Sequence, residues 1–350
     1  MHLLVFVLCG LLASEGSAAQ AQQEDPEGVL DLGETIITPT ASERAPMDVP
    51  FSGEVISEQQ MARRAYRTTP EALRDVPGIL LQETAVGHGS PYIRGFTSFR
   101  NLFLVDGIRL NNSVFRSGPN QYWNTVDPLL IESLEVVKGP GSVLYGSDSI
   151  GGTVNARTRM AYRSSPDDSL AGKLVLRHSS AEQSFVGRLE GSLLGDNGVG
   201  VLMGLGGKSF GDLVAGGSTG TQPGTGYDEV NGDLKLDGTS AAGAHWTFAM
   251  QHLAQNDVPR THKTDQAISF HGTTIGSDQR RDLDQERTLV YGQVRGETDA
   301  AFFDRYFLSL SWHRQEETRQ RTKSNSSRSE QGFDVGQAGL LGNLSSDTSF

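Results

Sequence analysis

Beyond Arg159 the chain is written in segments of roughly ten residues in which apolar and polar side chains alternate, the period of a strand with two unlike faces. Phe185, Leu189 and Leu193 share one face, with Arg188, Glu190 and Ser192 on the other. Trp246, Phe248 and Met250 fall together, and Tyr306, Leu308, Leu310 and Trp312 alternate with Phe307, Ser309, Ser311 and His313. Asp196-Asn197-Gly198 is a tight turn, whereas Gly211 to Tyr227 and Asp257 to Glu286 read as long polar loops. About eight such segments in succession, with short turns on one side and long loops on the other, fit the lipid-out, lumen-in pattern of a membrane β-barrel. A water-soluble β-sandwich also alternates, so the pattern alone leaves that alternative open. No stretch reaches the ~20 consecutive apolar residues of a transmembrane helix. If this chain crosses a membrane, it must do so with strands.

The first 21 residues read as a secretory signal. Leu3 to Leu12 is an apolar run too short to span a bilayer, and Ala19-Gln20-Ala21 is a small-x-small cleavage site, although His2 stands where a Lys or Arg is usual. Cys9, the only cysteine, lies inside this segment, so the mature chain has no disulfide, thiol nucleophile or cysteine metal site. A net charge of -12 argues against nucleic acid as a partner. Residues 22–45 form a polar leader. Within it Glu34-Thr35-Ile36-Ile37-Thr38-Pro39 is a β-prone run suited either to adding onto the edge of another protein's sheet or to pairing in its own domain.

Residues 46–159 read as one α+β domain. Val49 to Ile56 is a strand, and Ser57 caps a helix through Arg63. Thr69 and Pro70 open a second helix that runs to Val76 before Pro77-Gly78. Ile79–Gln82, Tyr92–Phe96 and the apolar Leu102–Val105 are strands, and Asp106-Gly107 turns the last into Ile108-Arg109-Leu110. Asn111 to Thr125 is a polar loop, and Asp127-Pro128 starts a short helix leading into Ile131–Asn155. The glycines of that last stretch do not fit a phosphate-binding pattern. Gly139, Gly141 and Gly146 miss G-x-G-x-x-G, and no Gly-Lys-Ser/Thr follows. They allow tight folding of the chain against a neighbour.

Three ordered motifs carry a resemblance: Ile93-Arg94-Gly95-Phe96, then Val105-Asp106-Gly107-Ile108-Arg109, then Ile131 to Pro140 followed by Leu144-Tyr145-Gly146 and Gly151-Gly152-Thr153-Val154-Asn155. Together they resemble the TonB-dependent outer-membrane receptors. The resemblance implies an α+β plug domain followed by antiparallel transmembrane β-barrel strands, the barrel incomplete in this chain. Family barrels have about 22 strands, so the chain is expected to be the N-terminal portion of a longer receptor, with residues 160–350 the first part of the barrel. Phe350 is not read as the aromatic end of a barrel.

The resemblance also makes Glu34, Thr35, Ile36, Ile37 and Thr38 a TonB box, to which the periplasmic partner TonB would pair by strand addition. Arg94 and Glu135 become charges that lock the plug to the barrel wall; an ordinary ion pair within the plug sheet is the alternative. Substrate contacts are expected from His88 and Tyr92 in one outward loop and from Arg116, Tyr122 and Trp123 in another, suited to an iron chelate or haem. The implied function is energy-coupled uptake of a scarce nutrient across the Gram-negative outer membrane, a ferric siderophore or haem first. A non-transporting outer-membrane binding or adhesion β-protein is the alternative. An enzyme is not expected, since Gly-Ser pairs such as Gly146-Ser147 lack the strand-to-helix elbow of a nucleophilic serine and the eight histidines show no metal spacing. No resident cofactor is implied.

Overall fold

The computed structural model describes residues 52–112, 122–142, 146–165, 168–217, 219–261, 264–265, 275–300 and 302–345. The signal segment, the Glu34–Thr38 run, Arg116 and Phe350 lie outside them. All elements below belong to one compact unit.

The smaller part begins with β1 (Ser52–Ser57) and α1 (Glu58–Arg64). Ser57 caps α1 through a capping box with Gln60, and Ala65 ends it in the left-handed region at φ 52. The second helix differs from expectation. Thr68 is its N-cap, α2 covers only Thr69–Ala72, and a tighter turn follows over Leu73–Asp75. The Thr69 hydroxyl is drawn away from capping because it donates to the Val126 carbonyl at 2.5 Å. β2 (Ile79–Ala85) and β3 (His88–Ile93) form a separate hairpin. Here too the strand stops early. Arg94 and Gly95 both have positive φ, 50 and 83, and Ile93 and Phe96 exchange two backbone hydrogen bonds at 2.9 Å across that turn.

β4 (Asn101–Val105) and β5 (Ile108–Arg109) are joined by the expected Asp106-Gly107 turn, with φ 50 and 79. β6 (Ile131–Lys138) and β7 (Gly152–Thr158) complete a five-stranded sheet in the order β1-β6-β7-β4-β5, in which only β4 and β7 run parallel. Gly152 is required by close approach, since a Cβ there would stand 2.6 Å from the Val137 carbonyl oxygen. The core holds Leu73, Ile93, Val136 and Val154, with Phe103 and Trp123 stacked at 4.4 Å.

The larger part is an antiparallel sheet of eight strands: β8 (Leu170–Ser179), β9 (Ser184–Leu194), β10 (Gly200–Phe210), then, after the small hairpin of β11 (Leu213–Ala215) and β12 (Gly220–Gln222), β13 (Tyr227–Thr239), β14 (His245–Pro259), β15 (Asp278–Ala300), β16 (Phe303–Lys323) and β17 (Arg328–Ser345). Its polarity is the reverse of a water-soluble sheet. The face turned toward the small domain buries Arg188, Glu190, Lys208, Glu229, Lys235 and Arg287, while the opposite face exposes Leu189, Leu205, Met250, Leu308, Leu310 and Trp312. A sandwich would bury its apolar face, so this arrangement removes that alternative. β15, β16 and β17 have 23, 21 and 18 residues, well beyond the ~9–11 that cross a bilayer. On β16 the exposed apolar side chains end at Trp312, and the next outward residue, Arg314, pairs with Asp334 at 2.8 Å. The polar stretch Asp278–Glu286 is therefore strand rather than loop: it continues the wall above the apolar band, where neither face needs an apolar pattern. Among the described residues no helix is long and apolar enough to cross a membrane.

Leu310, 63% exposed in the middle of the apolar face, gives a direct check. Leu310→Arg should cost about 2–4 kcal/mol in equilibrium folding into phospholipid vesicles, read from urea titrations. A soluble β-protein would tolerate or welcome the same change, so a neutral result contradicts the membrane wall.

Candidate functional site

The small domain sits on the polar face of the wall, and four of its charged residues, Asp106, Asp127, Arg159 and Glu58, meet that face. Asp106 is held in the left-handed β4–β5 turn, and its carboxylate bridges the end of neighbouring β7 and the wall. It accepts from the Thr158 backbone N–H at 2.8 Å, the Thr158 hydroxyl at 2.6 Å, the Tyr291 hydroxyl at 2.7 Å and Lys235 Nζ at 3.4 Å. Lys235 also donates to the Thr158 carbonyl at 3.0 Å, and Gln293 donates to the Asp106 carbonyl at 2.9 Å. One turn is thus bonded to β13 and β15 of the wall.

Asp127 caps the turn that leads into β6, accepting from Leu129 N–H at 3.1 Å, and also reaches Lys208 Nζ at 2.8 Å. Lys208 lies between Asp127 and Glu229, 2.8 Å from each. Burial pushes the Asp127 carboxyl up, but Lys208 and Arg188 outweigh it and hold it below the ordinary value. Arg159, at the exit of the small domain, joins Glu58 at 2.8 Å to Glu190 on β9 at 2.5 Å. Glu190 is shared with Arg188, which reaches Asp233 at 2.8 Å. Lys173 on β8 pairs with Glu58 from the other side. Every one of these charges has an opposite partner, as buried charges require.

Sequence reasoning gave these residues smaller roles. Asp106 was legible only as a turn residue, Asp127 only as a cap and Arg159 only as a boundary. The residues expected to lock onto the wall lie differently. Glu135 is fully buried, and the ion pair described for it is with Arg157 on neighbouring β7, at 3.5 Å. Arg94 lies beneath Gly139, where a Cβ would stand 3.1 Å from its Nη1. Of the expected substrate residues, His88, Tyr122 and Trp123 are buried, Trp123 within the core. Tyr92 is half-buried and donates to Gln82 at 3.0 Å. At the long-loop end of the wall, Arg321 pairs with Asp278 at 2.8 Å, Arg281 is 3.8 Å from the same carboxylate, and Arg319 pairs with Glu317 while lying 4.6 Å from the Phe333 ring centre. Three guanidiniums there face two carboxylates. Among the described residues no group of three or more His, Cys, Asp or Glu is arranged to hold a metal ion.

Residues 45–153 match the family model of the TonB-dependent receptor plug domain. Over these residues the chain carries a TonB-dependent receptor plug domain. A vitamin B12 transporter of Vibrio vulnificus strain CMCP6 is 39% identical over 125 residues, covering 35% of this chain and 20% of the relative. An iron-regulated outer membrane virulence protein of Vibrio cholerae is 36% identical over 160 residues, covering 44% and 23%. The fold is shared with the FrpB iron transporter of Neisseria meningitidis, with a TM-score of 0.69 and 16% identity over 85% of this chain and 46% of that one. These matches span about a fifth of the curated relatives and just under half of the solved structure. The small domain is the plug and the eight-stranded sheet a run of barrel strands, the barrel unclosed among the described residues.

In these terms Asp106, Asp127 and Arg159 join plug to barrel. Asp106→Ala should leave Tyr291 without its carboxylate acceptor and Lys235 without its counter-charge, at a cost of about 3 kcal/mol. Amide hydrogen exchange in 101–109 should then quicken by about two orders of magnitude. Glu135→Gln measured alongside decides where the lock lies: equal acceleration across the seam places it with Glu135 and Arg94, and unchanged exchange leaves it with Asp106.

Proposed function

We propose that the chain is the N-terminal part of an outer-membrane receptor that takes up a scarce nutrient by an energy-coupled route. The observation that carries this reading is the seating of a plug on the polar inner face of a wall whose other face is apolar. Such a plug bars passage until something displaces it, and its seam combines ion pairs and single hydrogen bonds with limited apolar contacts, Val86 and Leu129 against Val186, Phe210 and Val258 on one side and the plug core against Leu289 and Tyr291 on the other.

The proposed order of parts is a signal peptide at 1–21, a leader at 22–45 with the TonB box at 34–39, a plug at 46–159 and barrel strands from 160. Pairing of Glu34–Thr38 with TonB would add a strand through main-chain hydrogen bonds, and Pro39 would limit its register. A pull along the leader enters the plug at β1, next to Glu58 and its pairs with Arg159 and Lys173. The relatives' names include a vitamin B12 transporter, a hemin receptor and a probable TonB-dependent siderophore receptor. Among these cargoes the arginine excess at Arg281, Arg319 and Arg321, with the Phe333 ring beside it, favours an anionic, aromatic ferric chelate or haem. His88, Tyr92, Arg116, Tyr122 and Trp123 are the plug residues proposed to contribute, the buried ones after rearrangement.

The test uses the full-length receptor. Ile36→Pro removes a backbone donor from the added strand. It should lower energised uptake by about tenfold or more while leaving cell-surface binding on ice unchanged, the loss expected from breaking strand addition. Uptake unaffected by Ile36→Pro would favour a binding or adhesion protein without transport. Growth on ferric enterobactin, haemin or cyanocobalamin separates the cargo classes.

A further inference from the structure

The barrel wall meets the plug in two different ways. On β9, β10 and β13 it uses balanced charges, with Arg188, Glu190, Lys208, Glu229 and Asp233 all paired. On β14 to β17 five side chains donate to plug backbone carbonyls, beside the Tyr291 hydroxyl, which donates to the Asp106 carboxylate, and Gln315 Oε1, which accepts from Asn112. Gln255 donates to Asn124 O at 3.3 Å, Arg287 to Thr125 O at 2.8 Å, Gln315 to Leu110 O at 2.7 Å, Gln337 to Asn111 O at 3.3 Å and Gln293 to Asp106 O at 2.9 Å. From the level of Arg287 down to that of Gln293, the inward positions of these four strands carry no carboxylate.

Arg287 is the sharpest feature of this half. It is 1% exposed, and among the described residues no carboxylate forms an ion pair with it. Besides Thr125 O it donates to Gln251 Oε1 at 3.0 Å, and its Nη1 has no hydrogen-bond partner. Burying a cation against neutral acceptors with a donor left over is unfavourable unless something else retains it. A purely structural seam would balance it with a carboxylate, as the other half of the wall does for Arg188 and Lys208.

We propose that Gln255, Arg287, Gln293, Gln315 and Gln337 form a donor ladder on the barrel wall. Plug carbonyls occupy it at rest, and acceptor oxygens of an anionic cargo occupy it once the plug gives way. The inference rests on the transport reading above. The rungs extend over eight residue levels, from Gln285, opposite Gln255, to Gln293, roughly 27 Å of strand at ~3.4 Å per residue. One charge among four amides suits passage: the guanidinium draws an anion in, and the neutral donors hold it weakly enough for release. The plug carbonyls are acceptors of the same geometry as carboxylate, catecholate or hydroxamate oxygens. Displaced plug contacts are therefore exchanged for cargo contacts, without a step at which buried donors stand unmet.

The experiment compares full-length wild-type receptor, Arg287→Gln and Arg287→Lys in cells, with radio-iron-labelled haemin and ferric enterobactin as probes. Binding on ice should be the same in all three, because the ladder lies beneath the plug. Energised uptake by Arg287→Gln should fall about tenfold, the order expected for losing one charged hydrogen bond, and Arg287→Lys should recover most of it. Equal uptake by Arg287→Gln overturns the ladder. If wild-type receptor takes up neither probe, the transport of anionic iron cargo fails instead, and the ladder is then read without cargo. In planar bilayers with the plug unseated by urea, the chloride-over-potassium permeability ratio of wild type should fall by about half in Arg287→Gln. An unchanged ratio shows that Arg287 never faces the lumen, and overturns the proposal as well.

Discussion

A sheet that turns its apolar side outward has its polar side left to satisfy, and this obligation shapes everything else in the molecule. The inward residues of β9, β10 and β13 include five charges within a few ångströms of one another, and the small apolar patch that Val86 and Leu129 share with Val186, Phe210 and Tyr227 leaves those charges to be met. The small domain has to bring matching charge. Asp127 completes the two-carboxylate setting of Lys208, and Arg159 completes the two-cation setting of Glu190. Each is a case in which one side's surplus is the other side's deficit. Removing either plug residue leaves a buried charge with less than its share of counter-charge, a state costlier than never having buried the pair.

The same obligation explains the backbone of the plug where it touches the wall. Asp106 stands in the left-handed region, which costs a non-glycine residue some strain. Asp is among the residues that tolerate that region, and the turn aims its carboxylate at Lys235 and Tyr291 while Gly107 binds Asn155 at 3.1 Å. The loop residues Leu110, Asn111, Asn124 and Thr125 present carbonyls outward because they are not committed to a strand ladder. Irregular backbone is normally a liability when buried; here its unpaired acceptors are what the wall's glutamines and Arg287 bind.

The wall was legible in the sequence because a period of two survives without knowledge of partners: Leu308, Leu310 and Trp312 sort to one face whichever strands flank them. Ser57, Asp127 and the Asp106-Gly107 turn were legible for the same reason, since their bonds close within a few residues. Local rules failed where a distant atom competed. Thr69 lost its capping role to Val126, 57 residues away. The strand through Arg94 ended because Ile93 and Phe96 close on each other. The polar run Asp278–Glu286 lacked an alternating signal because its strand rises beyond the apolar band. The seam was illegible altogether. Its bonds join residues as far apart as Asp106 and Tyr291 or Leu110 and Gln315, separated by 185 and 205 positions, and nothing local marks one carboxylate as a wall contact and another as solvated.

In the proposed uptake, a seam of this composition would let the plug be both held and released. Its apolar contacts, Val86 with Val186 and Val258 and the plug core with Leu289 and Tyr291, resist separation in proportion to their area. Ion pairs and single hydrogen bonds are short-ranged and individually modest, so a pull at one end need break only those nearest it at any moment. The strand next to the leader, β1, passes directly into α1, whose Glu58 is bonded to both Arg159 and Lys173, so the first bonds under load are also those that tie the entry of the plug to its exit. Loss of that junction frees Arg159 to remain with Glu190 on the wall, already matched, while the plug's entry strand moves. The charges left behind are not stranded, because β9 carries both signs. What the sheet demands in order to be buried is thus also what lets it be uncovered.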